Sequence, residues 1–155
     1  MLADTLGALE NLPLIVALRE STLAYPLVNA LHIVGVALLF GAIVPLDLRL
    51  AGWRRDAGPV DGLSRLLLPV AVSGFVLAAC AGLLLFATDA RAYAASPLFR
   101  AKLVFIALAL ANALALRAID WRQSESPDRR IAVAGAASIV LWLAVIILGR
   151  LIGYF

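Results

Sequence analysis

The chain of 155 residues is 64% hydrophobic and 15% charged, and its mean hydropathy is +1.01. A soluble domain of this size has too little interior to bury that much apolar surface, which excludes an ordinary soluble fold. The net charge of +3 comes from basic residues beside apolar segments, a membrane-topology pattern rather than a nucleic-acid-binding patch. The single Cys80 excludes a disulfide framework and a thiolate metal cluster.

The first 20 residues differ from the rest of the chain. Their leucines recur at near-helical spacing: Leu2, Leu6, Leu9 and Leu12. Pro13 then interrupts the pattern and can open a short second helix through Arg19. The first charged residue is Asp4, whereas a signal peptide begins with positive charge. We therefore expect a retained amphipathic segment that lies in the membrane interface.

Four apolar segments follow, each long enough for a helix to cross about 30 Å of hydrocarbon. They cover roughly residues 25–50, 63–88, 97–121 and 130–154. Period-2 alternation is missing from them, which argues against a β-barrel. The sequence predicts an all-α integral membrane protein: one domain over 1–155, in which a four-helix bundle follows an N-terminal amphipathic interfacial helix.

Basic residues predict the orientation of these spans. Eight arginines lie near the loops that follow the first and third spans: Arg49, Arg54, Arg55, Arg65, Arg117, Arg122, Arg129 and Arg130. Five basic residues lie near the opposite ends: Arg19, Arg91, Arg100, Lys102 and Arg150. Because cytoplasmic loops carry the excess of arginine and lysine, we expect the first group inside and both termini outside a bacterial inner membrane.

His32 is the only histidine of the chain, and the stretch from Ser21 to Leu46 contains no Asp, Glu, Lys or Arg. Ionisable groups at membrane depth are costly and usually face the protein interior, where they serve function. Neutral imidazole is a good ligand for haem iron and for other metals. The alternative is a packing histidine that hydrogen-bonds a neighbouring helix, with Asn29 one turn away as a partner.

Lys102 is the second candidate. It lies about 7 Å along the third span from Pro97, and His32 lies about 10 Å from the same membrane face, so the two depths nearly agree. A cation there can pair with a haem propionate or another anion, and Arg100 is a weaker candidate for the same role. The alternative is that Lys102 extends to the outer headgroups.

Other features have structural interpretations. Asn112 is expected to bond a neighbouring helix or to line a cavity, and Asp47 to form an interfacial ion pair with Arg49. Small residues form stripes on three spans: Ala71, Gly74, Ala78 and Gly82 on the second, Ala107, Ala111 and Ala115 on the third, Ala134 and Ser138 on the fourth. Such spacing predicts close helix packing.

Two segments, Ala30-Leu31-His32-Ile33-Val34 and Phe99-Arg100-Ala101-Lys102-Leu103-Val104, carry a resemblance to a known group. The first resembles the histidine-bearing first helix of the CopD-like membrane superfamily, which includes CopD copper-resistance proteins and HemJ-type protoporphyrinogen oxidases. The second resembles the Lys-Leu start of a later helix in that group. The resemblance implies haem b held by His32, with Lys102 as a functional lysine.

Two further segments, Leu46-Asp47-Leu48-Arg49-Leu50 and Ala111-Asn112-Ala113-Leu114, together with the His32 region look more like a family of bacterial proteins with four predicted helices. The sequence departs from the HemJ-type pattern after Pro45, where those proteins continue into a basic, aromatic segment that ends in a second histidine. The resemblance therefore does not extend to protoporphyrinogen oxidation, and one protomer has no second histidine for bis-histidine ligation.

These observations predict a site between the first and third spans near the outer face. The expected function is haem-b binding by His32 for electron transfer or redox chemistry. The iron is expected to be five-coordinate, or to have a weak or exogenous sixth ligand, rather than to be held by a bis-histidine dimer. The competing hypothesis is a non-enzymatic accessory subunit, followed by a metal or small-solute carrier. The expected partners are the lipid bilayer and a second copy or a redox protein, without nucleic acid. Whether the protein is an enzyme stays open.

Overall fold

The computed structural model describes residues 2–53, 60–118 and 129–154. Regular structure in these residues is entirely helical: α1 Leu2–Glu10, α2 Pro13–Glu20, α3 Ala24–Leu50, α4 Val60–Thr88, α5 Ala90–Ala95, α6 Pro97–Arg117 and α7 Arg129–Leu151. Four helices, α3, α4, α6 and α7, are long and apolar enough to cross a membrane. The predicted all-α membrane bundle is therefore confirmed.

The helix bounds follow the sequence closely. The second span begins at Val60 rather than Leu63, and α7 ends at Leu151 rather than Tyr154. The predicted end of the third span at residue 121 lies outside the described residues, as do Arg54, Arg55 and Arg122. The short helix α5 was not predicted.

Local sequence explains where several helices begin and end. Pro13 and Pro97 occupy the first turns of α2 and α6, where the missing N–H has no helical partner to lose. Gly52, with φ 100°, follows α3 in the left-handed region. The amides of Gly52 and Trp53 then donate to the carbonyls of Arg49 and Leu48 at 3.0 and 2.9 Å, which closes the helix in a Schellman motif.

Among the described helices, α3 is central. It packs against α4 on one side and α7 on another, and α7 packs in turn against α6. Apolar side chains fill the space between the four spans, in a core cluster of Leu39, Ala42, Ala71, Ala109, Trp142 and Val145. Phe75 of α4 meets the Trp142 ring edge-to-face at 6.2 Å. The result is a bundle in which α3 and α6 are joined through α7 rather than directly.

Glycines bring α3 very close to its two neighbours. A Cβ added at Gly35 would lie 2.5 Å from the Ala78 nitrogen, and one at Gly74 would lie 2.5 Å from the Leu39 nitrogen. On α7, a Cβ at Gly135 would lie 2.7 Å from the Asp47 carbonyl oxygen. No side chain fits at these crossings, so hydrogen is the only substituent that permits this backbone approach.

The small-residue stripes have different outcomes. The α4 stripe packs closely against a helix, as its spacing predicts; that helix is α3, and the residues at the crossing are buried. The α6 stripe, in contrast, is exposed at Ala107, Ala111 and Ala115, so the expectation that it packs against a helix is wrong. The packed face of α6 instead carries Ala109, which is fully buried.

The helices α1, α2 and α5 cover the end of the bundle at which α3 and α6 begin, here called the cap end; the opposite end is the loop end. Ile15 and Leu18 of α2 are buried there. The Glu10 carboxylate of α1 accepts hydrogen bonds of 2.8 Å from both the main-chain N–H and the Nε–H of Arg91. These bonds and the Arg91 charge hold the pKa of Glu10 below its ordinary value.

The glycine crossing predicts the outcome of one substitution. Gly35→Ala should destabilise the bundle by about 1–3 kcal/mol, the usual cost of overpacking, because its Cβ would collide with the α4 backbone. Gly41→Ala is the matched control: it lies on the same helix and meets no atom within 4 Å. SDS titration in mixed micelles measures both. Equal stability of the two variants would contradict the crossing.

The Glu10–Arg91 pair predicts a pH dependence for the cap. Because folding lowers the pKa of Glu10, the pair stabilises the cap above the ordinary glutamate range, and this contribution is lost as pH falls through the lowered value. The protection of the α1 amides from hydrogen exchange, relative to their intrinsic exchange rate at each pH, should therefore fall on acidification and be low at all pH values in Glu10→Gln. Glu20→Gln, at an exposed position of the same cap, serves as the control. An unchanged exchange profile in Glu10→Gln would refute the role of the pair.

Candidate cofactor site at His32

His32 lies on the face of α3 that meets α4, and its ring is half-buried. The ring Nδ1 lies 2.8 Å from the main-chain oxygen of Ala78. A carbonyl oxygen can only accept, so Nδ1 carries the proton and donates it. In the neutral ring, Nε2 then keeps its lone pair.

Gly82, one turn beyond Ala78 on α4, lies beside the ring. A Cβ added there would be 3.0 Å from Cε1 and 3.2 Å from Nδ1 of His32. The edge of the ring formed by Nδ1 and Cε1 therefore lies against α4, and the edge formed by Nε2 and Cδ2 faces away from it. The small-residue stripe of α4 thus provides both the helix crossing at Gly74 and the space for the imidazole.

Lys102 of α6 is half-buried and extends its side chain across α7. A Cβ added at Gly149 would lie 3.2 Å from the Lys102 Nζ. The ammonium group is also close enough to His32 for its charge to act on the imidazole. The fold therefore brings the two main candidates into one neighbourhood, although their helices do not pack directly against each other.

The two weaker candidates lie at the edge of this neighbourhood. Asn29 is exposed, one turn from His32, and the hydrogen-bond partner of Nδ1 is Ala78 rather than Asn29. Arg100 is exposed too, and its guanidinium donates to the Ala95 carbonyl at 3.0 Å at the end of α5.

Asn112 was expected either to bond a neighbouring helix or to line a cavity, and it does both. Its Nδ2 donates to the Ala134 carbonyl at 3.0 Å and so ties α6 to α7. It also lines an open cleft of about 520 Å³ near the loop end, whose other walls are Arg129, Arg130, Val133, Ala134 and Ala137.

A second open cleft, of about 470 Å³, lies at the cap end. Its lining residues are Glu10, Arg19, Tyr25, Thr88, Asp89 and Tyr93. Burial, more than the neighbouring Tyr25 and Asp89, raises the pKa of the Tyr93 phenol. Tyr25 lies about two helical turns from His32 on α3. Neither tyrosine was a predicted site residue. Glu10 of α1 and Arg19 of α2 reach this cleft because these two helices pack on the end of the bundle.

The prediction for Asp47 differs most from the structure. It was expected to form an interfacial ion pair with Arg49, yet it is only 4% exposed and its carboxyl hydrogen-bonds Ser138 of α7. The available signal was its place beside the buried positions Leu46 and Leu50, which puts it on the packed side of α3. Spacing alone did not show that α7 covers this side.

The described residues contain no group of three His, Cys, Asp or Glu side chains that could hold a metal ion. No family model, curated protein or solved structure matches the chain. The chemistry of the site therefore has to be argued from its own geometry.

Proposed function

We propose that the protein binds haem b through His32 and serves electron transfer or redox chemistry in the membrane. The orientation of the His32 ring carries this proposal. Donation from Nδ1 to the Ala78 oxygen at 2.8 Å leaves the lone pair on Nε2, at the edge that faces away from α4. Histidines that ligate metals characteristically donate their other ring N–H to a carbonyl or carboxylate, which fixes the tautomer in the same way.

The donor set suits haem better than a bare metal ion. A catalytic zinc site takes three protein ligands and a structural one takes four, and the described residues supply no such group. Haem iron needs only one or two axial ligands from the protein. With one histidine per chain, the arrangement favours a single strong protein ligand; a second His32 would have to come from another copy across a two-fold axis.

Lys102 adds the charge that such a group requires. A haem propionate is an anion, and an anion at membrane depth needs a partner. Lys102 is a half-buried residue of α6 whose ammonium group lies against α7, beside Gly149. The ammonium is near enough to His32 for its charge to act on the imidazole. Bound haem would supply reversible one-electron exchange. His32 would hold and orient it, and Lys102 would neutralise a carboxylate at its edge.

The positive-inside pattern completes the proposal. If the arginine-rich loops stay in the cytoplasm of a bacterium, the cap end faces outside and the His32 site lies in the outer half of the inner membrane. A redox partner would then approach from the cap, or from the lipid.

A second candidate function is a non-enzymatic accessory subunit. The same hydrogen bond from His32 to Ala78 ties α3 to α4, and Gly82 accommodates the ring, so packing alone gives the imidazole a role. A carrier of metal ions is less favoured, since the described residues offer no cluster of ligands for a cargo ion.

His32→Ala should abolish haem retention while the bundle still assembles. The substitution removes the strong neutral ligand, whereas an interhelical hydrogen bond in a membrane is worth only about 0.6 kcal/mol on average. The measurement is the Soret band of protein purified from haem-replete cells, with gel filtration to confirm assembly. Lys102→Met should weaken retention without abolishing it.

Asn112→Ala is the matched control. Like His32, Asn112 donates one interhelical hydrogen bond to a main-chain carbonyl, and it lies away from the site. This variant should keep the wild-type absorption spectrum. Wild-type protein that carries no haem, or a His32→Ala variant that retains it, would refute the proposal in favour of a packing histidine.

A further inference from the structure

The contact between α3 and α7 near the loop end contains a buried acid that the haem proposal does not use. Asp47 lies in the last turns of α3 and is 4% exposed. Its carboxyl hydrogen-bonds the Ser138 side chain, while Oδ2 has no hydrogen-bond partner among the described groups. Gly135 lets the backbone of α7 approach the main-chain oxygen of Asp47: a Cβ added at Gly135 would lie 2.7 Å from that oxygen.

A second buried polar group lacks a partner on the same contact. Trp142 lies one turn beyond Ser138 on α7, is 5% exposed, and its Nε1 is unpaired within the described part of the chain. Helical side chains lean toward the N-terminus of their helix. By this rule we expect the indole to lean toward Ser138, the residue that bonds the Asp47 carboxyl. An unpaired donor and an unpaired acceptor lie along one helix interface.

Within the described residues, no ion pair is found between the Asp47 carboxyl and a charged side chain of the surrounding helices. The charged residues described near the loop end are Arg49 on α3, Asp61 and Arg65 on α4, Arg117 on α6, and Arg129 and Arg130 on α7. Asp61 and Arg65 pair with each other. The hydrogen bond that the Asp47 carboxyl accepts comes from Ser138 instead. An ionised carboxylate buried without a counter-charge is strongly disfavoured, and such groups take up a proton.

We propose that Asp47 is a proton-binding site: a buried acid, neutral at rest, that releases its proton toward the loop end and is then stabilised by Ser138 and Trp142. In this step the carboxyl O–H bond breaks and a water molecule at the loop end takes the proton. The negative charge stays on the carboxylate, whose Oδ2 then accepts from the indole N–H. Asp47 lies 15 residues from His32, about 22 Å along α3, so this proposal does not depend on haem.

The chemistry of the contact favours a proton over a metal cation. Hard cations take six or more oxygen ligands. The contact offers a carboxyl and a hydroxyl, and the Trp142 N–H is a donor that would face the cation unfavourably. The same donor suits a carboxylate that has just lost its proton.

Infrared difference spectroscopy of the full chain in lipid vesicles tests the proposal. At neutral pH the wild-type protein should show the carbonyl band of a protonated carboxylic acid, which disappears at higher pH and is absent from Asp47→Asn. Asp61→Asn, which removes an acid in an ion pair at the same end, should keep the band. In Trp142→Phe and Ser138→Ala the acid should stay protonated to a higher pH, because each variant loses a donor to the carboxylate.

If Asp47→Asn does not insert into the membrane, Ser138→Ala can assign the infrared band to Asp47 instead. Loss of the hydrogen bond from Ser138 should shift the carbonyl band of the Asp47 carboxyl to higher frequency. A wild-type spectrum without the band at neutral pH would overturn the proposal, as would a band that persists unchanged in Asp47→Asn. A band that disappears on addition of sodium at constant pH would also overturn it, in favour of a cation site.

Discussion

The close contact between α3 and α4 at Gly35 and Gly74 is the constraint on which the rest of the structure depends. A Cβ at either glycine would lie 2.5 Å from a main-chain nitrogen of the other helix, so the backbones are too close for any side chain to fit between them. This approach brings the Ala78 carbonyl within 2.8 Å of the His32 Nδ1. Gly135 fixes α7 against the other side of α3 in the same manner. The orientation of His32 and the burial of Asp47 are both consequences of these crossings.

The polar groups inside the bundle fall into two classes. His32 and Asn112 each donate to a main-chain carbonyl of a neighbouring helix. These hydrogen bonds offset the free-energy cost of placing a polar side chain inside the membrane. Asp47 and Trp142 each retain an unpaired buried atom within the described residues. A satisfied group can serve as packing or as a fixed ligand, whereas an unsatisfied buried group is rare in folded proteins and calls for a specific explanation. The two sites that we propose therefore lie near opposite ends of α3 and differ in chemistry.

Hydropathy predicted the four spans, and the rise of a helix placed His32 and Lys102 at similar depth. The choice of partner helix was harder to predict. The small-residue pattern is equally regular on α4 and α6, yet it faces α3 in one case and is exposed in the other. Lipid and helix surfaces are both apolar. The periodicity of small residues therefore identifies a face of the helix but does not show whether another helix or lipid contacts that face. Asp47 was misjudged for the same reason, since its burial depends on Gly135, far away in sequence. The six-residue α5 is too short for a periodic signal.

The central claim is that His32 is fixed with Nδ1 protonated and Nε2 available. Nitrogen-15 NMR of histidine-labelled protein in lipid tests it directly, and because the chain has one histidine the ring signals need no assignment. The account predicts a protonated Nδ1 with a hydrogen-bonded shift, and an Nε2 that is either unprotonated or bound to iron. A neutral ring with the proton on Nε2 would contradict the account, since Nδ1 could then not donate to Ala78.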